Sequence, residues 1–312
     1  MKKRILLLLT VLSLSFLIAG CNGSSPEKPT KPVIAVSIVP EKEFVRAVAG
    51  DLVDVVTMIP PGSSPSNYQP TPLEMESFSN ASIYFAIGVP AEDANILKKA
   101  KELNPQLKIV RLDDEVGKMY PHRYFEDAHS HEDELTEKGG TENNYENHDI
   151  GIKDPHIWMS PKRVMVMVDT IASELSKMDS ENSETYISNA KSYKEKLSSL
   201  DLKIKQTLEG LPNKSFIIYH PSLGYFADDY GLEMVSVESS GKSASAKELE
   251  YIIDFAREKN IKVVFYQSEI DSSQSRTLAN EIEGKTTEIS TLSGNYIENM
   301  EKIASTFKEV LQ

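Results

Sequence analysis

Short β-branched runs alternate with longer amphipathic stretches along most of the chain. The apolar runs at 33–39, 53–59, 82–88 and 107–112 predict four strands in the first half. Those at 215–220, 233–238, 262–267 and 286–290 predict four more in the second. Between them, spacing near 3.6 residues predicts helices over 91–103, 246–260 and 273–283. Strands that alternate with helices argue for an α/β fold with mostly parallel four-stranded sheets. A longer helical pattern separates the two sets. It runs from Pro161 to about residue 177, breaks near Asp179, and resumes from Ser183 to about residue 208. In the second piece Tyr186, Ala190, Tyr193, Leu197, Leu200 and Ile204 fall near one face. At about 1.5 Å per residue it is ~40 Å long, enough to cross from one lobe to another. The expected organisation is an N-terminal lobe over 33–182, a long bridging helix over 183–209 and a C-terminal lobe over 210–312, with a cleft between the lobes.

The first residues follow a different pattern. Lys2, Lys3 and Arg4 precede an apolar run over 5–18, and Ala19, Gly20 and Cys21 follow. This is the order of a secretory signal peptide over 1–20; the apolar run is short for a spanning helix. The small residues before Cys21 make the segment a lipobox, in which the thiol receives a lipid and becomes the new N-terminus. The alternative is an ordinary secretory signal with an incidental cysteine. Residues 21–32, rich in proline and small polar residues, read as a tether. Cys21 is the only cysteine, so no internal disulfide supports the fold.

Loss of residues 1–20 removes three positive charges and no negative one, which takes the net charge from −13 to −16. An acidic body with no Lys/Arg run after the signal argues against nucleic-acid binding. The charge suits attraction of a cation, though charge alone does not establish it. Residues 120–151 are acidic, contain Gly139-Gly140 and lack apolar periodicity. They hold His122, His129, His131 and His148, four of the six histidines of the chain. The stretch reads as an insertion, either a solvated loop with incidental histidines or a loop that gathers metal ions.

The remaining histidines stand in more ordered settings. His156 lies in Asp154-Pro155-His156-Ile157-Trp158-Met159-Ser160-Pro161, just ahead of a helix, and His220 lies at the end of a predicted strand. Ligands of open α/β sheets collect at the C-terminal ends of strands. A purely structural, hydrogen-bonded role is the alternative for each.

Four stretches together resemble the zinc/manganese-binding family of ABC-transporter solute-binding lipoproteins. They are Pro60-Pro61-Gly62-Ser63-Ser64-Pro65-Ser66-Asn67-Tyr68-Gln69-Pro70, Asp154-Pro155-His156-Ile157-Trp158-Met159, Tyr219-His220-Pro221-Ser222-Leu223-Gly224-Tyr225-Phe226, and Glu288-Ile289-Ser290-Thr291-Leu292 with Asn295-Tyr296. The resemblance covers nearly the whole chain after the signal. It implies two lobes bridged by a stiff helix, one metal ion in the cleft, and delivery to a membrane permease. His156 and His220 match the family's ligand positions. Two positions depart from it: Ser66 stands where the first loop has a histidine, and Ser290 where the fourth has an acid.

A serine hydroxyl is a poor zinc ligand, and two imidazoles alone hold zinc weakly. Three explanations stay open. Glu269 or an insertion histidine such as His129 or His131 completes the shell; the site is weak; or the scaffold binds another solute. Nitrogen donors favour zinc over manganese. Asp154 either orients His156 or caps the next helix. The expectation is therefore a monomeric, non-enzymatic, extracytoplasmic binding lipoprotein, held to a bilayer through Cys21 at the cell surface or in a periplasm. A metallohydrolase would need a general base beside the metal, and neither His-Glu-x-x-His nor Gly-x-Ser-x-Gly occurs. A surface adhesion protein is the other alternative, because it would tolerate the two serines.

Overall fold

A computed structural model describes residues 31–125, 151–238, 242–270 and 273–312. In chain order the elements are β1 (Val33–Val36), α1 (Val39–Ala49), β2 (Asp54–Thr57), α2 (Pro72–Ser79), β3 (Ala81–Ala86), a π-helical turn (Glu92–Ile96), α3 (Leu97–Leu103), β4 (Lys108–Arg111) and α4 (Leu112–Gly117). After a 3-10 turn (Ile157–Met159) come α5 (Pro161–Met178), a second 3-10 turn (Ser180–Asn182) and α6 (Ser183–Leu208). Then follow β5 (Ser215–Ile218), α7 (Gly224–Tyr230), β6 (Glu233–Ser236), α8 (Ala246–Glu258), β7 (Val263–Tyr266), α9 (Ser273–Glu281), β8 (Lys285–Glu288) and α10 (Tyr296–Leu311).

The strands form two four-stranded sheets, ordered β2-β1-β3-β4 and β6-β5-β7-β8. Every pairing is parallel, where the sequence predicts mostly parallel sheets. The reason is that each paired strand is reached by a crossover rather than a hairpin. The central strand β5 (Ser-Phe-Ile-Ile) is buried along its whole length, whereas the edge strands β2, β4, β6 and β8 carry charge and exposure.

The ladders are shorter than the apolar runs. After β1 the chain leaves the sheet because the N–H groups of Ser37 and Ile38 both donate to Glu41 Oε2, each at 2.9 Å. The helix expected over 91–103 opens with the π turn before α3. Those expected to end at 260 and 283 stop two residues earlier, at Glu258 and Glu281, and Asn260 and Glu283 themselves take left-handed backbone with φ of 52° each.

The long α6 touches both lobes. Asn189 Nδ2 donates to Val48 O at 2.9 Å, and the Tyr193 hydroxyl donates to Glu43 at 2.7 Å. Further along, Asp201 accepts from the Tyr230 hydroxyl at 2.8 Å, and Lys203 pairs with Glu301 at 2.7 Å. Its buried stripe, from Tyr186 through Leu197 to Leu208, belongs to one core that continues into both sheets. Phe307 of α10 packs on Phe216, Phe226 and Phe265 with ring centroids 4.7, 5.6 and 4.7 Å away. Tyr296 meets Phe44 of the other lobe edge-on at 5.0 Å. A shared core of this kind resists a wide opening of the lobes.

Candidate metal centre

Each sheet reverses its winding at its middle, between β1 and β3 in one lobe and between β5 and β7 in the other. Such switch points open a crevice at the strands' C-terminal ends. In the first lobe the crevice is filled by the chain itself. The buried Glu92 carboxylate accepts from the Ser37 hydroxyl, from Ile87 N at 2.8 Å and from Gly88 N at 2.8 Å. Burial pushes the Glu92 carboxyl up to about 7, against the lowering effect of those donors. Gly88 has φ of 92° and lies hard against Asp113, so a side chain there would collide. In the second lobe the crevice is open. His220 stands two residues past β5 and Gln267 one residue past β7.

His156 reaches this crevice from the segment that precedes α5. Asp154 Oδ1 accepts from His156 N at 3.0 Å and lies 2.8 Å from its Nδ1. Asp154 does not cap α5; Ser160 does, by accepting from Arg163 N at 3.4 Å. The other Asp154 oxygen pairs with Arg123 at 3.3 Å. Glu238 Oε2 lies 3.2 Å from His220 Nδ1. With a carboxylate at each Nδ1, both neutral rings carry their proton there, and each turns the Nε2 lone pair inward. The two Nε2 atoms stand 3.3 Å apart. Two lone pairs at that distance repel unless a proton or a cation lies between them. Metal–nitrogen bonds of about 2.0–2.1 Å at the tetrahedral angle put two ligand nitrogens about 3.3–3.4 Å apart. Burial holds His156 below the usual imidazole range, although Asp154 acts in the opposite direction.

The rings open onto a cavity of about 20 Å³ that is also lined by Ser66, Trp158, Gln267, Glu269, Thr291 and Leu292. One water needs about 10–15 Å³ on this measure. The space therefore admits an ion or a water and is too small for a sugar or an amino acid. Glu269 Oε2 and Gln267 Oε1 are buried without a hydrogen-bond partner among the described residues. Among the described residues no group of three or more His, Cys, Asp or Glu side chains converges tightly enough to hold an ion unaided. The imidazole pair is the converging unit, and the oxygen donors stand around it.

The sequence-predicted residues divide accordingly. His156, His220, Ser66 and Glu269 share the cavity wall. Ser290 does not line it; its carbonyl accepts from Asn299 Nδ2 at 2.8 Å, and its neighbour Thr291 lines the cavity instead. The Thr291 carbonyl accepts from Trp158 Nε1 at 2.8 Å, which ties that loop across to the His156 segment. Cys21, His129, His131 and His148 lie outside the described residues. His122 packs against Gly117 and is not part of the cavity wall.

Sequence reasoning missed Glu238 and Gln267. Glu238 meets His220 through sheet register: Ile218 pairs with Ser236, and two residues on, His220 faces Glu238. Both lie at the ends of predicted strands, a signal that becomes specific only when the strand order is known.

A family model described as "Zinc-uptake complex component A periplasmic" matches residues 34–310. The zinc-binding protein AdcA of Streptococcus pyogenes serotype M3 is 27% identical over 298 residues, covering 94% of this chain and 57% of its own length. The chain thus spans little more than half of that relative. The high-affinity zinc uptake system protein ZnuA of Bacillus subtilis is 28% identical over 305 residues, covering 92% of this chain and 88% of its own. A crystal structure of a ZnuA deletion mutant with zinc bound superposes with a TM-score of 0.78 at 29% identity, covering 90% of this chain and 98% of that one.

Proposed function

The chain belongs to the family of the zinc-uptake complex component A, and from that membership we propose that it captures one zinc ion between His156 and His220 and delivers it to an ABC-type membrane permease. The observation that carries this reading is the 3.3 Å spacing of the two Nε2 atoms, each ring held by a carboxylate on its far nitrogen. The cavity volume favours a bare ion over any larger solute. Glu269, with a buried oxygen that lacks a partner among the described residues, lines the same cavity and would draw in as a third donor when the ion binds. Two nitrogens with one carboxylate suit zinc better than manganese, which prefers oxygen-rich sites.

The work required is capture and release, with no bond made or broken in a substrate. Both imidazoles must be neutral to bind, and burial at His156 favours that state. Cys21 carries the lipid that keeps the protein on the outer side of a membrane, where it works as a monomer. His129 and His131, in the acidic stretch 120–151, serve to gather zinc ions for the protein.

Zinc titration of the chain from Asn22 onward, followed by native mass spectrometry, tests the reading. One zinc should bind per chain, and a His156→Ala/His220→Ala variant should lose it. Trp158 is the sole tryptophan, with its ring centroid 5.2 Å from that of His156, so its fluorescence should change in the same titration. Absence of bound zinc, or zinc retained by the double variant, would defeat the proposal.

A further inference from the structure

Two imidazoles and one carboxylate leave a tetrahedral zinc one donor short, and Ser66 on the cavity wall offers only a neutral hydroxyl. We propose that the Gln267 side-chain carbonyl oxygen fills that place, as a neutral oxygen donor to the ion. The inference rests on the zinc reading of the cavity.

Gln267 is 2% exposed and follows directly on β7, at the switch point opposite His220. Its orientation is set by chemistry. Gln267 Nε2 lies 3.2 Å from the His220 carbonyl and also bonds the Ser222 hydroxyl. A carbonyl oxygen can only accept, so the end of the carboxamide that meets it must be the NH2 group. That leaves Oε1 at the other end, buried and without a partner among the described residues, on a side chain that lines the ion-sized cavity. A buried acceptor with no donor is costly, typically about 1–3 kcal/mol. A cation in the cavity would relieve both this oxygen and Glu269 Oε2. The two NH2 contacts hold the carboxamide plane in place, so little side-chain freedom remains to be lost when the ion arrives.

Because the donor is an amide and not a carboxylate, the site carries a single formal negative charge, from Glu269. That keeps it away from the carboxylate-rich character that suits manganese. Gln267 is in this sense a specificity-determining residue.

The test compares Gln267→Leu, Gln267→Glu and Ser222→Ala with the parent chain, by zinc and manganese titration against a competing chelator. Absorption spectra of the cobalt-substituted proteins are read alongside, because cobalt bands report the donor set. Leucine removes both the oxygen and the NH2 contacts. Glutamate keeps an oxygen but cannot donate to the His220 carbonyl.

Gln267→Leu should weaken zinc at least tenfold and alter the cobalt spectrum. Gln267→Glu should retain zinc binding and improve manganese relative to zinc by about tenfold or more. Ser222→Ala, which keeps the oxygen but removes one of the two contacts that hold the carboxamide, should weaken zinc less than Gln267→Leu does and leave the cobalt spectrum closer to that of the parent. Leucine and parent binding alike would overturn the inference. So would equal loss in Gln267→Leu and Gln267→Glu with an unchanged cobalt spectrum, since that marks the NH2 contacts as the only contribution. A parent chain that binds no zinc, or a His156→Ala/His220→Ala variant that keeps it, would bring down the zinc site itself and this inference with it.

Discussion

Asp154 and Glu238 each lie at an Nδ1, 2.8 Å from His156 and 3.2 Å from His220, and neither lines the cavity. Their effect is to fix tautomer and ring direction. Loss of such a partner typically weakens a metal about 10–100-fold. Glu238→Ala should therefore lower zinc affinity within that range while one zinc per chain still binds, as read by chelator competition. Ser66 stands on the cavity wall with a neutral hydroxyl that is a weak ligand. Ser66→His should add an imidazole and tighten zinc by about tenfold or more, roughly 1.4 kcal/mol. Proton competition follows from the same residues. Burial holds His156 below the ordinary value of about 6.5, so binding should be insensitive to protons at that ligand above this pH and should weaken below it. Isothermal titration across pH 5 to 8 checks the trend.

Among the elements, the junction of β1, α1 and β3 carries an unusual electrostatic load. Glu41 and Glu92 are both fully buried, and burial raises the Glu41 carboxyl well above the usual range, with Glu92 adding to the effect. Glu92 itself is raised from 4.5 to about 7. The folded chain therefore keeps a proton on Glu92 up to about pH 7, whereas the unfolded chain releases it near 4.5. Between those values the folded state binds more protons, so this group's contribution to stability falls as pH rises, by of order 3 kcal/mol in all. His156 acts with the opposite sign: its value is depressed when folded, so its contribution is lost as pH falls below about 6.5. Comparison with Glu92→Gln separates the two. Its melting temperature should lack the decline between pH 5 and 8 that Glu92 produces in the parent, whatever its absolute stability.

For the whole molecule, Pro32–Gln312 forms one compact unit. One apolar core runs through both sheets and along α6, and a second cluster around Ile217, Val264 and Leu278 packs within the C-terminal lobe. Loops cross the cleft as well: Trp158 Nε1 donates to the Thr291 carbonyl at 2.8 Å, and the Tyr296 hydroxyl donates to the Trp158 carbonyl at 2.8 Å. Wide hinge closure would have to break this packing. Small-angle scattering should accordingly give the same radius of gyration with and without zinc, and a clear compaction on zinc binding would contradict the shared-core account.

The strand and helix order was legible in the sequence because periodicity is local. The break at Asp179 and the buried stripe from Tyr186 to Ile204 could be read directly, since each helix repeats its own pattern. His156 and His220 stood out through the motifs around them. Their meeting could not be read, because the two rings are 64 residues apart in the chain and touch only when the β5 crevice faces the Asp154 loop. Glu238 depended on β5 pairing with β6 in one register. The Gln267 oxygen depended on two contacts that turn its carboxamide. Sequence pattern decides which residues share a face of an element. Only tertiary packing decides which lone pairs from separate elements end up at the same point, because that is set by distances between elements and not by spacing along one.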